Sequence, residues 1–549
     1  MSRHLRPGTA ELTLTKSVAR ARALKRRRRR NRLLFVSAIL ISTGVGMLLV
    51  RPAKAPQAEE NTLFIQSTPT QPTRVAEVLP SPTLVQVEKT PTPTTEPTVL
   101  PILPTQAQAI TYSKDNPILY YAQSGDSLPV LAVHFGVEIS DITSTSALPD
   151  KGFVPPGQLL LIPARLDSVS SPLKLFPDSE VVNSPSTIDF DVNTFVDAAG
   201  GYLSTYKEYL NTTGLTSGAD IVKRVAKEYS INPRLLLAVL EYQSDWVYGT
   251  PQTATASNYP MGELDVNKKG LYHQLVWAAG EIATGYYGWR EGTVVAITFS
   301  DGALLRLAPD LNSGSAGLMY FYAQSHVITE WAAILYDEYS VINLYHDMFG
   351  NPWLRAQNYE PLFTPAVTQP EMILPFETGK IWAFTGGPHA AWGAAEVRGA
   401  LDFAPPSDES GCVPSSEWVV ASAAGLVVRS ENGAVVIDMD GDGFEQTGWN
   451  IIYLHIATEH RIPVDTWVEV GDRLGHPSCE GGRATGTHVH ITRKFNGEWV
   501  PADSALPFVL SGWKAKAGSQ IYTGWLIKDD RIIRANILSS SASHIQRED

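Results

Sequence analysis

The chain is poor in cysteine and, beyond its N-terminus, in basic residues. Only Cys412 and Cys479 occur among the 549 residues. They can form at most one disulfide within the chain, and a pair of free thiols is the alternative. The first 54 residues hold 14 Lys and Arg against one acidic residue, although the whole chain has a net charge of -12. The remainder is therefore strongly acidic, and we expect the two parts to occupy different places.

Long apolar runs are equally scarce, which limits the chain to one membrane span. The uncharged run of 18 residues at 33–50 is long enough to cross a bilayer as a helix. The basic segment 1–32 precedes it and should stay cytoplasmic, which predicts a single-pass protein of the cell membrane with an extracytoplasmic bulk. A cleaved signal peptide is the alternative. Basic residues beside an apolar helix are explained by topology and anionic lipid, so no nucleic-acid partner is expected.

A Pro- and Thr-rich linker at 51–107 separates the span from a short module at 115–165. In that module a turn at Gly125–Ser127 precedes an apolar-periodic helix, and a strand around Leu160 closes a βααβ unit. The pattern YYAQSGDSL with PPGQLLLIP resembles the lysin-motif module. The resemblance implies binding to the glycan of peptidoglycan, with a purely structural unit as the alternative.

Residues 190–360 have the periodicity of a mainly α domain. The segment INPRLLLAVLEYQS at 231–244 resembles the lytic transglycosylase motif, in which a Glu before the Ser is the catalytic acid. Gln243 stands there, and an amide cannot donate that proton. Glu241 lies about 200° away around the helix and should point away from the cleft. We therefore expect a lysozyme-like scaffold without catalytic activity, with a plain helical spacer as the alternative.

The histidines concentrate in the C-terminal part, where six of the 12 lie between residues 389 and 490. His488 and His490 alternate in a β-type segment, so both imidazoles should project from one face of a strand. The surrounding residues 375–515 consist of short strands punctuated by glycine, which predicts an antiparallel β domain. Residues 516–549 form a C-terminal extension with strands that the pattern does not assign.

This histidine pattern resembles the zinc peptidases of the lysostaphin fold. Many members place their first His four residues before the Asp, but Arg398 holds that position here. The branch of the beta-lytic and staphylolytic metalloendopeptidases places that His further upstream. His389 stands 13 residues before Asp402 and matches this branch, as does the CEGG segment before TGTHVH.

The resemblance implies a complete zinc site. His389, Asp402 and His490 would bind Zn2+ and leave a fourth position for water, as in catalytic zinc sites. His455 and His488 would flank the metal as the catalytic residues, one of which takes a proton from water while the other stabilises the oxyanion.

Together these features predict a multidomain chain with a transmembrane helix, a βααβ module, a mainly α middle domain and an antiparallel β peptidase domain. The predicted function is a membrane-anchored zinc metalloendopeptidase that hydrolyses peptide bonds of bacterial peptidoglycan. The module would bind the glycan, and the peptidase domain would bind the peptide. The alternative is a non-catalytic peptidoglycan-binding regulator that activates another wall hydrolase.

Overall fold

The structure, a computed structural model, covers most of the chain after the linker. It describes residues 109–393, 397–407 and 411–548. Within these ranges, no helix combines the length and the apolar character needed to cross a membrane. The predicted basic segment, membrane span and linker lie outside the described residues.

The described residues form eleven α-helices and 22 strands. The helices are α1 (Leu128–Phe135), α2 (Val192–Ala199), α3 (Tyr202–Thr205), α4 (Gly218–Tyr229), α5 (Pro233–Ser244), α6 (Ala254–Asn258), α7 (Leu271–Arg290), α8 (Ser313–Ala323), α9 (Ile328–Tyr336), α10 (Val341–Phe349) and α11 (Pro352–Ala356). The strands of the first two regions are β1 (Ile118–Tyr121), β2 (Thr143–Ser144), β3 (Leu159–Ile162), β4 (Lys207–Leu210), β5 (Gly214–Ser217), β6 (Ala296–Thr298) and β7 (Leu304–Arg306).

The remaining strands belong to the C-terminal region. They are β8 (Ile381–His389), β9 (Ala400–Ala404), β10 (Val419–Val420), β11 (Gly425–Glu431), β12 (Ala434–Asp438), β13 (Trp449–Leu454), β14 (Trp467–Val468), β15 (Arg473–Gly475), β16 (Val489–Phe495), β17 (Glu498–Trp499), β18 (Val509–Leu510), β19 (Trp513–Ala517), β20 (Gly524–Lys528), β21 (Arg531–Arg534) and β22 (His544–Gln546).

The first module differs from the predicted βααβ order. Its three-stranded sheet has the order β1-β3-β2 and packs on α1 around a core that includes Leu131 and Phe135. The prediction of a second α-helix is wrong. The chain makes only a three-residue 3-10 turn there, at Ile139–Asp141. The Asp141 carboxylate accepts the backbone amide of Glu138 at 3.2 Å, which caps the start of this turn. The chain enters β2 at Thr143, two residues after the turn, which leaves no room for a longer helix.

The middle region is mainly helical, as predicted, but two β-hairpins interrupt the helices: β4 with β5, and β6 with β7. Helices α7 and α8 approach closely because Gly285 has no side chain; a Cβ there would lie 2.4 Å from the Cβ of Tyr320. The apolar core also includes Val169, Phe176 and Val182, all of them buried. The helical region therefore includes chain ahead of residue 190.

One buried guanidinium joins all three regions. Arg290 lies at the end of α7, and its Nη2 atom is 3.0 Å from Asp178 Oδ2 and 2.6 Å from Glu498 Oε1 of the C-terminal region. Its Nη1 atom donates to the carbonyl of Ser124 in the first module. Burial alone would lower the pKa of Arg290, but Glu498, Tyr286 and Asp178 hold that pKa above its ordinary value, so the guanidinium stays charged.

The C-terminal region is an antiparallel β domain, as the glycine-punctuated strands predict. Its main sheet has the order β14-β11-β12-β13-β16-β9-β8-β22, and β17 pairs with β16. The sheet core includes Phe384, Phe403 and Ile491, which are fully buried.

The predicted boundary at residue 515 is wrong, because the extension is part of this domain. Strands β18 to β21 form a second sheet that lies against β8, and β22 pairs with β8 in the main sheet. Trp513, Leu526 and Ile545 bury their side chains in the same core as the main sheet. Apolar burial on both sides of residue 515 therefore makes one domain of this stretch.

The two cysteines form a disulfide, which decides between the alternatives left by the sequence. Cys412 and Cys479 have their Cα atoms 5.5 Å apart, and 67 positions separate them in the chain. The bond ties the segment after β9 to the loop that precedes β16.

Candidate metal centre

Three neighbouring strands bring the predicted ligands together. Asp402 of β9 lies directly opposite His490 of β16, and His389 is the last residue of β8, on the other side of β9. Residues paired across an antiparallel sheet project from the same face, so side chains that are distant in sequence meet here. Gly386 also pairs with Asp402, and a Cβ at Gly386 would lie 2.4 Å from the Asp402 carboxylate. Glycine is therefore required beside the cluster.

The three ligand atoms converge within a small volume. His389 Nε2 lies 3.1 Å from His490 Nδ1 and 3.2 Å from Asp402 Oδ1. His490 Nδ1 lies 3.4 Å from the same Asp402 oxygen. All three residues are buried. Nitrogen and oxygen atoms of this kind bind zinc at about 2.0–2.2 Å, so a single ion at their centre would satisfy all three.

Hydrogen bonds fix which ring nitrogen of each histidine faces the cluster. His389 Nδ1 donates to the carbonyl of Gly387 at 2.9 Å, which leaves the lone pair of Nε2 toward the centre. His490 Nε2 donates to the carbonyl of Ala391 at 3.1 Å, which leaves the lone pair of Nδ1 toward the centre. A backbone carbonyl on the outer nitrogen is the usual support of a metal-binding histidine.

Asp402 is buried with one oxygen that lacks a hydrogen-bond partner in the described residues. Its Oδ1 atom lies near three imidazoles, but none of them donates to it with good geometry. Burial alone would raise the pKa of Asp402, but the neighbouring His389, followed by His490 and His488, holds that pKa well below its ordinary value. A buried carboxylate that is ionised and unpaired is chemically suited to a cation.

The two predicted catalytic histidines lie beside this cluster. The His455 and His488 rings are 4.5 Å apart between centroids, and His488 Nε2 lies 3.7 Å from Asp402 Oδ1. Each ring donates from Nδ1 to a backbone carbonyl at 2.8 Å, that of Glu480 for His455 and that of Gly486 for His488. Burial, His488 and His490 lower the pKa of His455 to about 3, so its ring is neutral at neutral pH.

The extension supplies a site residue that the sequence reasoning missed. The ring of Tyr522, between β19 and β20, stacks on the ring of His389 with centroids 4.2 Å apart and planes at 23°. The Tyr522 carbonyl accepts the amide of Gly387 at 2.9 Å. Tyr522 is 44% exposed, so it forms part of the open wall of the site. No spacing motif in the sequence links Tyr522 to His389, which lies 133 positions earlier.

Other residues that the sequence singled out stay outside the cluster. Arg398, at the usual position of the first ligand, donates to the carbonyl of Gly518 at 3.2 Å. In the middle region, Glu241 accepts the backbone amides of Val247 and Tyr248 at 2.8 and 3.0 Å. This carboxylate therefore binds the loop that follows its own helix, and its predicted orientation away from a cleft stays a prediction.

Known proteins match two regions of the chain. Residues 174–362 match the family "LasA, N-terminal domain". Protease LasA of Pseudomonas aeruginosa is 24% identical over 330 residues, which cover 54% of this chain and 70% of that protein. The beta-lytic metalloendopeptidase of Lysobacter enzymogenes is 25% identical over 150 residues, which cover 27% of this chain and 80% of that protein.

The chain is a metalloendopeptidase. Its metal is zinc, and the buried cluster of two imidazoles and one carboxylate suits that ion. Among solved structures, the M23 metalloprotease pseudoalterin from the deep sea shares 24% identity with a TM-score of 0.26, and the alignment covers 31% of this chain and 96% of that one. The two relatives confirm the enzyme class predicted from the sequence, and the ligand chemistry of the cluster agrees with the predicted zinc. The lysin-motif and transglycosylase resemblances stay predictions.

Proposed function

We propose that this metalloendopeptidase hydrolyses peptide bonds of peptidoglycan, with zinc bound by His389, Asp402 and His490. The observation that supports the ligand set best is the convergence of His389 Nε2, His490 Nδ1 and Asp402 Oδ1. The two nitrogens direct their lone pairs to the centre, and the oxygen lacks a hydrogen-bond partner in the described residues, which suits a cation. The similarity to a protease and to a beta-lytic endopeptidase supports the reaction class.

The chemistry divides between the metal and two imidazoles. Zinc, when bound, supplies the Lewis acidity that acidifies a water molecule and polarises the scissile carbonyl. During hydrolysis the water oxygen bonds to the carbonyl carbon, the C–N bond breaks and the leaving nitrogen takes a proton. His455 and His488 each present Nε2 toward the site, because Nδ1 is occupied by a carbonyl. One ring can accept the proton of the water at its Nε2 lone pair and return it to the leaving nitrogen, while the other can donate to the carbonyl oxygen when its Nε2 also carries a proton, as in the imidazolium.

The N-terminal parts would deliver this activity to the wall. We propose that residues 33–50 anchor the chain in the cell membrane and that the bulk lies on the extracytoplasmic side. The module at 115–165 would hold the glycan strand. Its sheet exposes Leu119 and Tyr121, which are 62% and 63% accessible, and an exposed aromatic ring suits contact with a sugar face.

The test is digestion of purified peptidoglycan by the purified chain, with two product assays in parallel. A peptidase releases new amino groups and no new reducing sugar ends. Reducing ends without amines would replace this proposal with glycan cleavage by the helical region. Sedimentation with peptidoglycan without either product would support the non-catalytic regulator.

A further inference from the structure

An open pocket of about 440 Å3 lies where the helical region meets the peptidase domain. Helix α4 and strand β5 line one wall. The other wall consists of Trp392, the β11–β12 turn and Gly481. The helical region and the peptidase domain therefore form the pocket together.

The peptidase wall of this pocket also borders the catalytic cluster. Trp392 follows Ala391, whose carbonyl accepts the hydrogen bond of His490 at 3.1 Å. Gly481 precedes Gly482, where a Cβ would lie 3.3 Å from His455 Cε1. The same two loops thus form one side of the metal centre and one side of the pocket. A peptide bound across the metal centre would extend along these loops into the pocket.

Two opposite charges in the pocket make no direct contact with an oppositely charged group in the described residues. Lys227 stands on the α4 wall and Glu431 on the β11 wall, both exposed, and neither forms an ion pair or a side-chain hydrogen bond there. The neighbouring charges are satisfied: Lys223 pairs with Asp220 at 2.6 Å, and Arg224 with Glu228 at 2.8 Å.

The base of the pocket contains an ion-pair network in which Arg429 and Lys494 share Glu445, with Lys494 Nζ 3.2 Å from Glu445 Oε2. Arg429 makes a bidentate pair with Glu445 at 2.7 and 3.0 Å, and its guanidinium lies 5.5 Å from the centre of the Trp392 ring. Arg429 is buried between the Glu445 carboxylate and the Trp392 ring, so it forms a rigid base for the pocket. Lys227 and Glu431 are the pocket charges without a direct ion pair in the described residues, and they act through space on Glu445 and Arg429, respectively.

We propose that this pocket is a substrate subsite for a peptide segment that bears both a carboxylate and an amino group. Lys227 binds the carboxylate and Glu431 binds the amino group. The assignment rests on the proposed peptidase function, because the ligand is the part of the substrate beside the scissile bond. It gives the helical region a role in substrate selection, through α4.

The experiment compares three preparations of one peptidoglycan: native, with its carboxylates amidated, and with its amino groups acetylated. Amine release gives KM and kcat for the full-length chain and for Lys227→Ala and Glu431→Ala. An ion pair at a partly open site is worth up to about 1 kcal/mol, which corresponds to about fivefold in KM. Lys269→Ala is the matched control, since Lys269 is an exposed lysine of the helical region that does not line the pocket.

Lys227→Ala should raise KM about fivefold on native substrate, change kcat little, and have no effect on amidated substrate. Glu431→Ala should raise KM on native substrate and have no effect on acetylated substrate. Equal KM values for all variants, with amine release intact, would overturn the subsite alone. Absence of amine release from every preparation would overturn the proposed function and the subsite together.

Discussion

Acid should loosen the first module from the helical region at one identifiable histidine. His134 of α1 is 3% exposed and stacks on Trp289 of α7 with ring centroids 3.8 Å apart. Its Nε2 atom donates to the Trp289 carbonyl at 2.9 Å. Burial, followed by the nearby Arg306 and Arg290, lowers the pKa of His134 from 6.5 to about 3. The docked state therefore binds the neutral ring and disfavours the imidazolium.

The size of the effect follows from proton linkage. The pKa of His134 is lower when the first module is docked on the helical region than when the ring is free. Docking is therefore strongest above pH 6.5 and weakens as the pH falls toward about 3, the pKa of the docked ring. Each pH unit below 6.5 removes about 1.4 kcal/mol, so lowering the pH to 5 removes about 2 kcal/mol, or about 30-fold in the docking equilibrium.

Hydrogen exchange of peptides that cover α1 measures this local opening. His134→Phe keeps a ring against Trp289 but cannot be protonated, so it serves as the reference. The ratio of protection factors, wild type over variant, cancels the intrinsic pH dependence of exchange. We expect this ratio to fall about 30-fold between pH 7.5 and pH 5. Equal losses of protection in the two proteins would refute the argument.

Three further predictions concern the site. Tyr522→Ala should lower zinc affinity about tenfold by zinc titration, whereas Tyr522→Phe, which keeps the stacked ring, should leave it unchanged. Changing Cys412 and Cys479 to Ser removes a cross-link over a long loop, which should lower the free energy of unfolding by about 4 kcal/mol in urea titrations. His455→Ala and His488→Ala should each retain zinc yet lower amine release at least about 100-fold, and metal loss in either would contradict the assigned roles.

The sequence predicted which histidines and which aspartate come together better than it predicted the domain limits, because the patterns that mark these residues are local. The HxH segment at 488–490 and the spacing of His389 from Asp402 are short-range patterns, and β8, β9 and β16 pair so that these residues meet. Tyr522 reaches the site only because the sheet β18–β21 packs on β8, a long-range contact that no local pattern encodes.

The domain limits failed for the same reason. Trp513 and Ile545 lie on either side of the predicted boundary at residue 515, yet both bury their side chains in one core. Val169 and Phe176 likewise join the helical core from ahead of residue 190. Burial in a shared core depends on tertiary packing, which helical or strand periodicity does not report.

The central claim is that His389, Asp402 and His490 hold one catalytic zinc ion. Metal analysis of the purified chain, beside His389→Ala and His490→Ala, tests it most directly when each sample is also assayed for amine release. His460→Ala is the control, because His460 is an exposed histidine outside the cluster, with its side chain 62% accessible. The account predicts about one zinc per chain with activity in wild type and control, and loss of both in the two ligand variants. Full zinc content and undiminished amine release in the ligand variants would contradict it.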